Sequence, residues 1–296
     1  MGQDGIYGVI EPGRRWGSRE WNLVMPLAYG LIQPVDVKLP NLPHELDGMR
    51  ILHVSDLHIR RHGRLFSRLI NQLTSIRHDL TVFTGDYMSY PGDEDASIKV
   101  MKKICERLNP SMGMYGVFGN HDFDEFRQRA GEELPIHWLS DHAVSVKDRP
   151  LDLLGFNVTK GSGPDGMKVA MDATLECGGR DEDRLRLGLL HYPQKFMLAS
   201  DLGVDLMLSG HTHGGQIRLP GGRALFNSSD LPLGLSSGLM RHRDMMIGVS
   251  RGVGYAGMPF VTSWRLFCPS HMPLYTLRRG PMTGKRSNRL EMIQRW

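Results

Sequence analysis

The chain has 296 residues, 40% of them hydrophobic, with a formal charge of +4 and a mean hydropathy of −0.30. That length holds one large α/β domain with a real core, and no stretch approaches the roughly 18 consecutive apolar residues of a spanning helix. Six cations against one carboxylate between Arg278 and Trp296 place about +5 in the tail, so the remainder is near −1 and no nucleic-acid partner is expected.

Residues 1–48 differ in character from the rest of the chain. Trp21, Leu23, Val24, Met25, Leu27, Tyr29, Leu31 and Ile32 are apolar, but Pro26 and Pro34 interrupt any long helix. A strap packed on the domain or an interfacial patch is expected there. The opening Met1-Gly2-Gln3-Asp4 lacks the charged-then-apolar pattern of a signal peptide. Cys105, Cys177 and Cys268 are scattered and belong to no motif, which suits reduced thiols. The expected location is cytoplasmic. Peripheral contact with an anionic membrane surface at its inner face stays open, through the apolar segment and the tail ending in Trp296.

Ile51–Ser55 reads as a buried strand running into Asp56-Leu57-His58. Side chains at i and i+2 of an extended segment share a face, roughly 6.5 Å apart, so carboxylate and imidazole converge. Arg60, Arg61 and Arg64 come next, either a solvated face or contacts for a substrate phosphate. Leu65, Phe66, Leu69, Ile70, Leu73 and Ile76 recur at helical spacing. Thr81–Thr84 is a second strand, ending in Gly85-Asp86. Asp93-Glu94-Asp95 then suits the N-terminal dipole of a helix marked by Ile98, Met101, Ile104, Cys105 and Leu108.

Tyr115–Phe118 is the next strand, and it delivers Gly119-Asn120-His121-Asp122, an amide oxygen, an imidazole and a carboxylate at one strand end. Phe123 and Phe126 begin a short helix. His142–Val146 and Leu151–Val158 read as strands, and Gly161–Gly166 as a loop. Leu185–Leu190 ends in His191, and Leu206–Leu208 ends in Ser209-Gly210-His211-Thr212-His213-Gly214-Gly215-Gln216. Gln216–Leu219, Leu239–Arg241, Met245–Ser250 and Met272–Leu277 read as further strands, and the Gly-, Ser- and Leu-rich residues 222–240 are candidates to line the cleft. The domain limits expected are 1–48 for the strap, 49–277 for the core and 278–296 for the basic tail. Of the remaining histidines, His62 and His242 are candidates to approach the site, whereas His53 and the others suit surface or core positions.

Five strand ends in succession thus deliver Asp with His, Asp, Asn with His, His, and His with His. In that order these blocks resemble the calcineurin-like metallophosphoesterases, whose pattern is Asp-x-His, Gly-Asp, Gly-Asn-His-Asp or Glu, a later His, then Gly-His-x-His. The resemblance spans Asp56 to His213. It implies a four-layer α/β/β/α sandwich with two metals at the carboxyl ends of the strands. One would be held by Asp56, His58, Asp86 and His213, and the other by Asp86, Asn120, His191 and His211. His121 would be the catalytic imidazole, oriented by Asp122.

The chemistry is coherent. Two divalent ions roughly 3.5–4 Å apart can share a hydroxide and clamp both the attacking and leaving oxygens at phosphorus. Oxygen and nitrogen ligands without thiolate point to Mn, Fe, Zn or Co. Within the family, Gly85-Asp86-Tyr87-Met88-Ser89 and Asp122 depart from the protein phosphatases, and Ser89 departs from the purple acid phosphatases. His121, Gly214-Gly215-Gln216 and Val249–Gly254 resemble the bacterial membrane-associated branch, which includes UDP-2,3-diacylglucosamine pyrophosphatases. The expectation is a bimetallic phosphodiester or pyrophosphate hydrolase acting on a phosphorylated small molecule or a lipid-linked substrate. The alternative is a non-catalytic phosphate-binding scaffold of the same fold.

Overall fold

The computed structural model describes residues 31–60, 66–74, 76–156, 182–220, 222–256 and 265–296. Most of the expected strap, Arg61, His62, Arg64, the 161–166 loop and Cys177 lie outside them.

The apolar runs expected to be strands at the five motifs all form them: β2 (Arg50–Val54), β3 (Leu80–Thr84), β4 (Met114–Val117), β8 (Leu185–Leu190) and β9 (Leu206–Ser209). All of β8 is buried, and so is all of β9, as expected of strands covered on both faces. Around them lie β1 (Leu31–Leu39), β5 (His137–Trp138), β6 (His142–Ser145), β7 (Leu151–Phe156), β10 (Gly238–His242), β11 (Met245–Val249), β12 (His271–Arg279) and β13 (Glu291–Gln294).

These strands make two sheets, a six-stranded one ordered β1-β12-β2-β3-β4-β5 and a seven-stranded one ordered β13-β10-β11-β9-β8-β7-β6. The sheets face each other across a core that includes Val37, Ile51, Val82, Leu187, Leu208 and Tyr275. Helices α1 (Ser67–Leu73), α2 (Glu94–Arg107) and α3 (Asp124–Glu133) cover the outer face of the first sheet, through Leu69, Met101, Ile104 and Phe126 against Leu52, Val54 and Phe83. The outer face of the second packs Met207, Met240 and Ile247 against α4 (Phe196–Asp201). Helix, sheet, sheet and helix make the α/β sandwich expected from the sequence.

The parallel registers are what position the site. β2, β3 and β4 run side by side, Val54 opposite Phe83 and Thr84 opposite Val117, while β8 and β9 run parallel in the facing sheet. All five motif-bearing strands therefore end at one rim of the sandwich, where parallel strands offer their ligand sites.

Some expectations need correction. Gln216–Leu219 is not a strand: the His213–Gly215 turn ends with Gln216 at φ 50°, and beyond it come only the isolated bridges Ile217–Leu266 and Arg218–Ala224. Positive φ from His213 to Gln216 breaks the extended backbone where the strand was expected to begin. The described part of the strap, residues 31–48, holds an edge strand, with β1 parallel to β12 and Val35, Val37 and Leu39 in the inter-sheet core. Part of the basic tail is structured against the sandwich. β13 pairs with β10, and Trp296, the expected interfacial anchor, is only 7% exposed, its indole N–H donating to the Val249 carbonyl over 3.2 Å. Among the described residues, no helix is long and apolar enough to cross a membrane.

Candidate metal centre

At that rim two groups of buried side chains converge. Asp56, His58, Asp86 and His213 bring one ligand atom each within 4.8 Å of one another, and Asp86, His191 and His211 do the same. Asp86 belongs to both. Its Oδ2 lies 3.5 Å from His58 Nε2 and 3.3 Å from His191 Nε2. His213 Nε2 is 3.0 Å from His58 Nε2 and 3.5 Å from Asp56 Oδ1, and His211 Nδ1 is 3.2 Å from His191 Nε2. The Asn120 amide oxygen, at the exposed side, completes the second group 3.2 Å from His191 Nε2. Every residue expected to hold metal is brought to this one place.

The backbone is bent to achieve this. Asp56, His58, Asp86, His211 and His213 all have φ between 44° and 70°, a region that costs a non-glycine residue energy and that clusters at functional sites. Close approach also constrains the loops. A Cβ at Gly119 would collide with Asp86 Oδ1, and one at Gly210 with Ser55 Oγ and Asp56 Oδ2.

Backbone carbonyls set the imidazole tautomers. His191 Nδ1 donates to Thr84 O over 2.7 Å and His211 Nε2 to Ser228 O over 3.2 Å, which turns the other nitrogen of each ring into the cluster. Burial pushes His58 down to about 3, His211 to about 4 and His213 well below its ordinary range. These rings are held neutral, the form a metal needs. His191 differs: burial lowers it, but the Asp86 carboxylate more than reverses that and takes it to about 9. Asp86 shows the converse. Burial favours its neutral form, yet the charge and hydrogen bond of His191 hold it well below the usual carboxylate range. Lone pairs crowded around one point, with shared protons disfavoured on most of the rings, fit a cation. The oxygen and nitrogen donors without thiolate suit a divalent ion of the Mn, Fe, Zn or Co kind.

Asp122 does not orient His121. Its Oδ2 accepts from the N–H of Asp86 (2.8 Å) and Gly119 (2.7 Å), and its Oδ1 from that of Tyr87 (2.7 Å). It fastens the loop after β3 to the loop after β4. Burial and the neighbouring Asp86 charge raise its carboxyl to about 6. The partner of His121 is the Ser89 carbonyl, 3.0 Å from Nδ1, and the two rings of His121 and His58 meet edge to face with centroids 4.9 Å apart.

Sequence reasoning missed a second row of polar residues. His53 Nε2 meets Thr84 Oγ1 at 2.7 Å, Thr84 Oγ1 donates to Ser55 Oγ over 2.8 Å, and Ser55 Oγ donates to Asp56 Oδ2 over 2.5 Å. The available signal was the alternation of His53 and Ser55 on the core-facing side of an otherwise apolar strand. His242, by contrast, lies away from the centre, its ring 4.9 Å from that of Phe196 on the outer face of the second sheet.

Fold and centre together define a metal-dependent phosphohydrolase. The family model for calcineurin-like phosphoesterases matches residues 49–215, and the chain belongs to that family. It is 25% identical over 288 residues to the uncharacterized metallophosphoesterase YkuE of Bacillus subtilis (strain 168), covering 93% of this chain and 95% of that protein. Similarity to the phosphodiesterase YaeI of Escherichia coli (strain K12) is 30% identity over 183 residues, or 58% of this chain and 63% of that one. The UDP-2,3-diacylglucosamine pyrophosphatase LpxG of Chlamydia muridarum (strain MoPn / Nigg) is 29% identical over 119 residues, 40% of this chain and 34% of that protein.

Proposed function

We propose that the chain hydrolyses a phosphodiester or pyrophosphate bond at a two-metal centre. Asp56, His58, Asp86 and His213 would hold one ion, and Asp86, Asn120, His191 and His211 the other. The observation that carries this reading is Asp86 Oδ2, a single carboxylate oxygen facing His58 and His191 at 3.5 and 3.3 Å. Two cations side by side repel, and a shared anion offsets that repulsion. Bound there, the ions would supply Lewis acidity to the phosphoryl group and an activated water.

The protein's own groups do the remainder. Neutral His and Asn ligands leave positive charge to meet a phosphate. Nδ1 of His121 donates to the Ser89 carbonyl, so Nε2 of the protonated ring is the atom left to give a proton to the leaving oxygen. Asp122 is a positioning residue, acting through the backbone of Asp86 and Gly119.

The partial similarity to a diacylglucosamine pyrophosphatase makes a lipid-linked pyrophosphate such as UDP-2,3-diacylglucosamine the first natural substrate to try. Leu219, Leu225 and Leu266 support it. They are 46%, 49% and 46% exposed around the segment just beyond the His213 turn, an apolar rim suited to acyl chains. The test is a panel of purified protein with Mn, Zn or Mg against bis-p-nitrophenyl phosphate, p-nitrophenyl phosphate and UDP-2,3-diacylglucosamine. Metal-dependent turnover of the diester or the pyrophosphate is expected. Stoichiometric metal without turnover of any of them would instead favour a phosphate-binding scaffold.

A further inference from the structure

Arg60 lies two residues beyond His58, on a segment tied to the loop after β3 by the Ile59–Met88 bridge. Its guanidinium carbon stands 5.6 Å from the centre of the Tyr90 ring and 4.9 Å from that of Tyr255. Both tyrosines sit on segments tied to the walls of the metal centre. Tyr90 is next in the chain to Ser89, whose carbonyl holds His121 and whose hydroxyl donates to the His58 carbonyl over 3.0 Å. Tyr255 is next to Gly254, whose N–H donates to the Asp56 carbonyl over 2.7 Å.

Among the described residues no carboxylate pairs with Arg60, and its Nε–H is buried without an acceptor. Aromatic rings attract a guanidinium through their faces and strip water from it, while its N–H fork lies in the plane and stays available to an anion. Two tyrosines thus flank a positively charged fork beside the centre that no described carboxylate neutralises. A phosphate oxygen would satisfy it in the strong, charge-assisted way.

Resting on the two-metal reading above, we propose that Arg60, Tyr90 and Tyr255 form a subsite for a second phosphate. This is the phosphate of a disubstituted pyrophosphate that is not attacked. A simple phosphodiester has no second charge to place there, so the subsite selects phosphoanhydrides over diesters.

The test uses the full chain loaded with Mn and three probes: bis-p-nitrophenyl phosphate, UDP-N-acetylglucosamine and UMP. The first has one charged phosphate. The second and third share a nucleoside and differ in the second phosphate and the sugar it carries, and only the phosphate offers an anion to a guanidinium. Each is read as KM where it turns over and as an inhibition constant where it does not. For Arg60→Ala, the weakening of UDP-N-acetylglucosamine should exceed that of UMP and of the diester by tenfold or more, in KM rather than kcat. Arg60→Lys, which keeps the charge without the planar fork, should recover only part, and Tyr255→Leu should shift the same ratio in the same direction. Bound metal and Tm are followed in every variant.

Equal weakening of all three probes, or of UMP and the sugar nucleotide alike, overturns the subsite and leaves the phosphohydrolase reading intact. So does no weakening of any. Metal-loaded wild-type protein that neither turns over nor binds any probe overturns the proposed function and the subsite with it.

Discussion

Asp86 uses both its oxygens. Oδ2 faces His58 and His191, while Oδ1 accepts the backbone N–H of His121 over 2.8 Å. Asp86→Ala should therefore lose metal and activity together, and elemental analysis showing two ions per chain in that variant would sink the bimetallic assignment. His121→Ala should keep its metal and lower kcat by roughly 10²–10⁴, the usual weight of a positioned acid. The measurement needs a poor leaving group, and a wild-type kcat there removes His121 from the chemistry. Asp122→Ala separates two roles cleanly. It would leave three buried N–H groups without their acceptor, each costing roughly 1–3 kcal/mol. A marked fall in Tm is expected. Unchanged Tm with depressed kcat would restore the imidazole-orienting role.

At the scale of elements, the last strand turns the basic tail into part of the sandwich. Beyond β13, the main-chain oxygen of Trp296 accepts from buried Arg218 Nη1 over 2.7 Å, and its ring packs 5.1 Å from that of His271. The tail's charge is also partly paired, Arg286 with Asp244 at 2.8 Å. Trp296→Ala should cost roughly 3–5 kcal/mol, the range for emptying a large aromatic from a core. Urea unfolding measures it, and a loss below about 1 kcal/mol would mean the strand is not docked. Binding to anionic vesicles, where it occurs, should not depend on this residue, because its ring is not available to lipid.

For the molecule as a whole, buried histidines set the pH dependence of the metal-free protein. Burial holds His53 at about 3, His58 at about 3 and His211 at about 4. In the unfolded chain each returns to about 6.5. Unfolding below that pH takes up protons, so stability falls as the solution is acidified. Asp56 and Asp122, both raised to about 6 by burial first, oppose this below pH 6 but are fewer. His191, raised to about 9, acts at the other end. Its contribution is complete below about 6.5 and is lost as the pH rises through 9. Calorimetry in the presence of a chelator should show Tm highest near neutrality and lower at both pH 5 and pH 9.5. A Tm that rises steadily towards pH 5 would contradict the neutral, buried state of these rings.

Much of this was legible in the chain because it is local. A short apolar run closed by a turn forces a buried strand, and the polar residues just after it must then lie at that strand's end, so Asp56, His58, Asp86, Asn120, His191, His211 and His213 could be picked out before any contact was known. What the sequence could not settle depends on contacts between distant segments. Asp122 looked like a partner for its neighbour His121, but its carboxylate bonds to N–H groups up to 36 residues away. Trp296 and the residues before it read as a basic tail because neither their charge nor their spacing shows that β10 offers an open edge to pair with. The chain of His53, Thr84 and Ser55 behind Asp56, and the two tyrosines around Arg60, arise only when β2, β3 and the loop before β12 are brought side by side. Local patterning thus determined which side chains are offered to the centre. Tertiary packing alone decided which of them hold metal-ready geometry, which merely fasten the backbone, and that Arg60 meets two tyrosine rings and no carboxylate among the described residues.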